Sequence, residues 1–234
     1  MILSTDPDYL DTKLVKQGTK QLNPIFNELA DWIYQEYSTP VLNIYYEKIN
    51  TEKTPKLSII FENYYYVGKF RDHTGNYDTE KQNLIAAQFK RILQSKSISK
   101  RTLFDWFFKK SSPLFETTGL FVIFTAFEPI AREEANNKIP QSTIAQLQEE
   151  LASENIWHIY REPWTTTYFF YTEKQKEEYT KNGTTQKMKR QYYDILKQYD
   201  QFDYIKPNDE FLAFDSKENL DNNFEGNLFW YSKR

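Results

Sequence analysis

Apolar and polar positions along the chain alternate between two periods. In LNPIFNELADWIYQEY, Ile25, Leu29, Ile33 and Tyr37 recur at four-residue spacing, which is one face of a helix. Asn23 before Pro24 is a start signal, since Asn caps well and Pro suits the first helical position. Beyond Pro40, VLNIYYEKI reads as a strand, NTEKTPK as a loop, and LSIIFENYYYVGKF as a second strand rich in β-branched and aromatic residues. The polar turn RDHTGNYD follows. Thr79 and Gln82 have capping-box spacing ahead of the helix NLIAAQFKRIL. A basic, aromatic segment, SKSISKRTLFDWFFKK, precedes the strand GLFVIFTAF.

The second half repeats this order. Thr143 and Gln146 have the same spacing ahead of IAQLQEEL, with Ile144, Leu147 and Leu151 on one helical face. IWHIYRE and TTTYFFYTE read as neighbouring strands. A charged segment ends at Lys181-Asn182-Gly183, TTQKMKRQYYDILKQY reads as a helix, and EFLAFDS as a strand. Short echoes connect the halves: IYYE with IYRE, SIIFEN with YFFYTE, FKRILQ with YDILKQ.

The expected fold class is therefore α+β, as two similar helix-strand-strand-helix-strand halves with largely antiparallel sheet and helices on one face. Residues 120–215 also follow the ferredoxin-like order, strand-helix-strand-strand-helix-strand. The stretch 129–140, PIAREEANNKIP, is polar and bracketed by prolines. It is the expected connector between an N-terminal half, 1–128, and a C-terminal half, 141–234. The tail is expected to form two late strands, FLAFD and NLFWY, with KENLDNNFEG as the turn between them. Asp215 and Asp221 then serve the turn, and Phe229 or Trp230 closes the core.

Composition narrows the functional classes. Of 234 residues, 39% are hydrophobic and 27% charged, a globular balance. The net charge of -3 argues against a general nucleic-acid coat. There are no cysteines, which removes thiol nucleophiles and Cys-based metal sites. MILSTDPDYLDTK lacks a basic n-region and an apolar h-region, and no apolar run reaches the roughly 18 residues of a membrane span. A cytoplasmic location is expected. With 18 Tyr, 18 Phe and only 6 Gly, the chain has aromatic grip to offer and few phosphate-cradling turns.

Four stretches carry candidate chemistry. DNNFEGNLFWYS has the opening ligands of a calcium loop, Asp221, Asn223 and Glu225 before Gly226, but Ser232 replaces the bidentate acid at the twelfth position. Asp209 and Asp215-Ser216-Lys217 have nuclease-like residue types. EFLAF between the acids contains no turn residue, and a strand rising about 3.3 Å per residue separates them by about 20 Å. His73 stands between Asp72 and Asp78, residue types that suit a general base, although this loop also needs turn and cap residues. His158 has apolar neighbours on both sides, and strand alternation turns it toward solvent or a partner. From Lys90 to Lys110 there are seven basic residues against one acid, interleaved with Phe104, Trp106, Phe107 and Phe108, a pattern that suits single-stranded nucleic acid.

The hairpin IWHIYREPWTTTYFFYTE gathers Trp157, Tyr160, Arg161, Glu162, Trp164 and Tyr168. Tyr and Trp bury much area at low entropic cost, and the charged pair adds specificity. These six are the expected partner-binding residues. No metal or cofactor is expected. A cysteine-free, acidic, aromatic-rich chain without a nucleophile–base–anion-hole pattern points to a non-enzymatic protein-binding module. Its general character is that of bacterial immunity and antitoxin proteins, which cover a partner's active site. The alternatives are a hydrolase with a carboxylate and His site at 72–78 and a single-strand binder through 90–110.

Overall fold

The computed structural model describes residues 3–99 and 115–233. The chain divides into two compact units, Met1–Ile130 and Ala131–Arg234, each built on one three-stranded sheet. In the first unit, α1 (Pro7–Lys16) and α2 (Pro24–Tyr37) precede an antiparallel hairpin of β1 (Asn43–Ile49) and β2 (Thr54–Phe61). The short α3 (Tyr64–Gly68) and long α4 (Thr79–Ser99) lead to β3 (Phe121–Ala126), which lies parallel to β2. Then α5 (Phe127–Lys138) crosses the division between the units.

The second unit follows the same plan. After α6 (Gln141–Glu150), β4 (Ile156–Arg161) pairs antiparallel with β5 (Thr166–Phe170). Helices α7 (Glu173–Lys181) and α8 (Thr184–Lys197) lead to β6 (Leu212–Ser216), parallel to β5, and α9 (Lys217–Phe224) and α10 (Leu228–Tyr231) follow. The fold is α+β, and both sheets share one strand order with one antiparallel and one parallel pair.

The likeness extends to single residues. Ile44 lies opposite Ile59 in the first sheet, and Ile159 opposite Tyr168 in the second. The IYYE and IYRE echoes thus occupy the same register. After the third strand, the amide of Glu128 donates to Glu62 O at 2.9 Å, and that of Glu218 donates to Tyr171 O at 3.2 Å. Each bond ties the start of the next helix to the corner where the central strand ends.

Alternation along the central strands builds the cores. Leu57, Ile59 and Phe61 join Leu29, Ile33, Ile85 and Phe89 on one face of the first sheet. Tyr168 and Phe170 join Leu147, Met188, Tyr192 and Leu196 in the second. Fully burying one such side chain contributes about 1.5–3 kcal/mol, so these clusters dominate the packing. The second faces are also covered. In the first unit α1 does this: Tyr9 stacks on Phe127 at 5.0 Å, and Asp8 accepts from the Ser58 hydroxyl at 3.4 Å. Burial pushes the Asp8 carboxyl above its usual range.

Several local expectations change. The start of α2 is as read, with Asn23 accepting from the Ile25 amide. Tyr64–Gly68, expected as strand, is α3, because the Asn63 side chain caps it at the Tyr66 amide. The cap of α4 is Asp78 rather than Thr79, its carboxylate accepting from the amides of Glu80 and Lys81. Thr143 lies inside α6, which starts after Pro140 without a side-chain cap. The charged segment after β5 is α7, opened by a Thr172–Gln175 capping box. Most of the polar stretch 129–140 is helical, as α5. No ferredoxin-like sheet forms over 120–215, because β3 pairs with β2 in the first sheet.

The tail differs most. KENLDNNF is α9, whose cap is the Ser216 hydroxyl accepting from Asn219, and LFWY is α10, capped by Asn227 at the Phe229 amide. There is no final strand pair. Asp221 lies within α9 and pairs with Lys217 one turn away, while Asp215 is buried at the end of β6. Tyr231, not Phe229 or Trp230, enters the core.

Candidate protein-binding surface

The second face of the second sheet is roofed by α9 and α10. Phe169 projects there from β5 and meets Leu220 of α9 and Tyr231 of α10, all fully buried. Trp157, Tyr160, Phe224 and Leu228 pack around them. Tyr231 lies 5.0 Å from the Phe169 ring and 5.1 Å from that of Phe224. Its hydroxyl donates to Asp215 Oδ2 at 2.6 Å. Both oxygens of Asp215 also accept from Asn219 Nδ2, at 2.9 and 3.0 Å, and Oδ1 accepts from the Ser216 amide at 2.8 Å. A buried carboxylate served by several donors is a strong tie, and here it fixes both helices to the sheet.

That tie decides what α10 displays. Residues three apart share a helix face, so Leu228 and Tyr231 turn inward while Phe229 and Trp230 turn out. Phe229 is 58% exposed and Trp230 56%. Their rings meet edge-on at 5.2 Å, and the Lys233 ammonium lies 5.4 Å from the Phe229 centroid. Lys217 covers the Trp157 ring at 5.5 Å. Two large aromatic side chains are thus held in water by a short helix anchored from below.

The six hairpin residues do not form one surface. Trp157 and Tyr160 lie on the roofed face, beneath and beside α9 and α10. Arg161 is structural: its guanidinium donates to the carbonyls of Ile139, at 3.0 Å, and Asn136, at the C-terminal end of α5. Glu162 shapes the hairpin turn, its amide donating to Thr165 O at 2.8 Å and its carbonyl accepting from Asn136 Nδ2 at 3.1 Å. Trp164, at that turn, is 44% exposed. Tyr168 cannot reach a partner, because β5 is the central strand and is covered on both faces. It is fully buried, its hydroxyl has no hydrogen-bond partner among the described residues, and burial raises its pKa strongly.

His158 is half-buried, not turned freely outward. A register shift between Ile156 and His158 inserts Trp157 as an extra residue, so alternation breaks there. The imidazole lies 5.6 Å from the Trp157 ring, and desolvation lowers its pKa. His73 is exposed, and the carboxylates near it have structural work. Asp72 accepts from the amides of Thr74 and Asn76 and the Thr74 hydroxyl, which holds its pKa down, and Asp78 caps α4. Of the 90–110 segment, residues 100–110 lie outside the described residues. Lys90 and Arg91 are on the exposed side of α4, and Lys96 pairs with Glu28 at 2.9 Å.

The residues of the calcium-like stretch are spread over α9, its C-terminal turn and α10. Asp209 is turned to the Lys206 amide at 2.9 Å and to Arg132 at 2.8 Å, away from Asp215 and its helix caps. Among the described residues no group of three or more His, Asp or Glu is placed to hold a metal ion. No described helix is long and apolar enough to cross a membrane.

The sequence reading places Phe229 or Trp230 in the core, and the structure exposes both. The signal for the other reading is Asn227, a capping residue directly ahead of LFWY. The geometry defines an α+β protein of two like units with an aromatic display on the second. No protein-family model, curated protein or solved structure matches the chain.

Proposed function

We propose that this protein is a non-enzymatic, cytoplasmic protein-binding module that inhibits a partner protein by covering its surface, as immunity and antitoxin proteins do. The observation that carries this reading is the α10 display. Phe229 and Trp230 are more than half exposed, yet their helix is fixed by the buried Tyr231–Asp215 bond. Rigid aromatic side chains lose little freedom on binding, and such residues anchor interfaces. Trp157 and Tyr160, two of the six hairpin residues, support the display from below.

The test is affinity capture from the source cells with the full chain, followed by mass spectrometry. One stoichiometric partner should be retained by the wild type, lost by the Phe229→Ser/Trp230→Ser pair, and kept by Tyr65→Ala, which alters an exposed aromatic of the first unit. No stoichiometric partner, or equal retention by all three chains, would refute the reading.

A further inference from the structure

The two sheets end on edge strands of the same kind, β3 and β6, and treat those edges differently. In a parallel ladder, alternate residues turn both N–H and C=O toward one neighbour and the residues between them turn away. Phe211 O accepts from the Thr166 amide at 3.1 Å. Ala213 and Asp215 therefore face β5, and Leu212 and Phe214 present their backbone groups to the open side. In the first sheet the matching residues are Val122 and Phe124, opposite Leu57 and Ile59.

The first unit closes its edge with its own side chains. Gln82 donates to Val122 O, and the Tyr77 hydroxyl donates to Phe124 O at 2.9 Å. Tyr77 comes from residues 69–78, the loop that joins α3 to α4. Its ring lies 5.5 Å from Phe124, which is fully buried. In the second unit the corresponding link is only Asn182–Gly183, between α7 and α8. No described side chain donates to Leu212 O or Phe214 O, and Phe214 is only half-buried. In place of the plug there is an open groove lined by Lys176 and Thr180 of α7, Lys189 of α8, and Glu210, Leu212 and Phe214. Its volume is about 450 Å³, within the roughly 300–1,000 Å³ of ligand-holding clefts.

We propose that the β6 edge is a strand-addition site for an extended, acidic segment of a partner protein. The open N–H and C=O groups repeat every second residue, which only an extended backbone can match. β6 is five residues long, so the added strand is of similar length. Of the groove's two lysines, Lys176 is paired with Glu173 at 2.6 Å, whereas Lys189 has no ion-pair partner among the described residues. An acidic side chain on the added strand meets that charge. Edge strands left open invite pairing, and proteins generally blunt them. Here one unit does so and the other does not. The residues that open the edge, Leu212 and Phe214, are not those of the α10 display, Phe229 and Trp230, so the two readings are tested separately.

The test pans a phage-displayed library of random twelve-residue peptides on the full chain. Enriched peptides should be acidic over a short extended run. A synthetic copy should slow hydrogen exchange at the Leu212 and Phe214 amides. It should lose about tenfold in affinity, one to two hydrogen bonds' worth, when alternate amides are N-methylated in the pairing phase. Lys189→Glu should weaken binding by a similar factor without changing thermal unfolding. An empty selection, or affinity that survives N-methylation in both phases together with K189E, overturns the proposal. So does a concentration-dependent dimer that protects the same two amides, since that result assigns the edge to a second copy of the chain.

Discussion

The Tyr231 hydroxyl and the Asp215 carboxylate meet at 2.6 Å inside the second unit, with Tyr231 fully buried. Tyr231→Phe keeps the ring packing against Phe169 and removes only this bond. Hydrogen bonds to charged groups contribute about 1.5–3 kcal/mol, so the variant should lose that much in urea unfolding. The loss should fall on the transition of the second unit, and the first should keep its midpoint.

Phe229 and Trp230 should behave oppositely. Both project from α10 into water. Exposed substitutions away from caps and cores change stability by about 0.5 kcal/mol or less. Phe229→Ala and Trp230→Ala should therefore unfold at the wild-type denaturant midpoint while losing partner binding.

His158 gives the second unit a pH dependence of known sign. Desolvation lowers its pKa below the ordinary 6.5. The unfolded chain then takes up the proton first, so stability is intact above about pH 6.5 and falls as the pH drops through the folded value. His158→Gln removes the titration. Its stability should be flatter than the wild type's between pH 7 and pH 5, measured by urea unfolding at each pH.

Asn136 joins a buried polar group. Its Oδ1 accepts from the Tyr192 hydroxyl at 2.6 Å, which also meets Thr166 Oγ1 at 2.7 Å, and its Nδ2 reaches Glu162 O. Asn136→Ala leaves buried partners unsatisfied, and each such group costs about 1–3 kcal/mol. Thermal unfolding of the second unit should shift down by several degrees.

Ser38 closes α2 in the left-handed conformation, at φ 48°. A side chain there costs about 1–2 kcal/mol, and glycine gives back about 0.5–1 kcal/mol in chain entropy. Ser38→Gly should thus stabilise the first unit by about 0.5–1 kcal/mol, seen as a raised midpoint. Lys69 reaches only the backbone carbonyl of Ser38, so that contact survives.

Much of the scaffold is legible where two signals agree. α2 has both its face, Leu29 and Ile33, and its Asn23-Pro24 start. The strands have alternation and β-branched residues between breakers. Errors arise where aromatic content argues for strand and a cap argues for helix. Tyr64–Gly68 and LFWY are such cases, and Asn63 and Asn227 prevail because a satisfied helix start outweighs weak strand propensity. α7 lacks buried residues altogether, so periodicity had nothing to register and only Thr172 and Gln175 mark it.

The candidate surface is less legible for a different reason. Pro163 marks Trp164 as a turn residue, but nothing in the sequence around Tyr168 says that its strand is the central one, which only the strand order decides. The Trp157 bulge changes which residues share a face, and no residue type announces it. The open β6 edge emerges only when the two units are compared, because what distinguishes it is a plug present in one and missing from the other.

The two roofs come from opposite ends of their units in sequence order. α1 precedes the strands of the first unit, whereas α9 and α10 follow those of the second. During synthesis from the N-terminus, α1 is therefore already synthesised when the first sheet forms. The second must wait, with Trp157 and Phe169 uncovered, until residues 217–231 leave the ribosome. A nascent chain stalled before that point leaves this apolar face bare, and exposed apolar surface of that kind is what makes partly folded chains prone to aggregate.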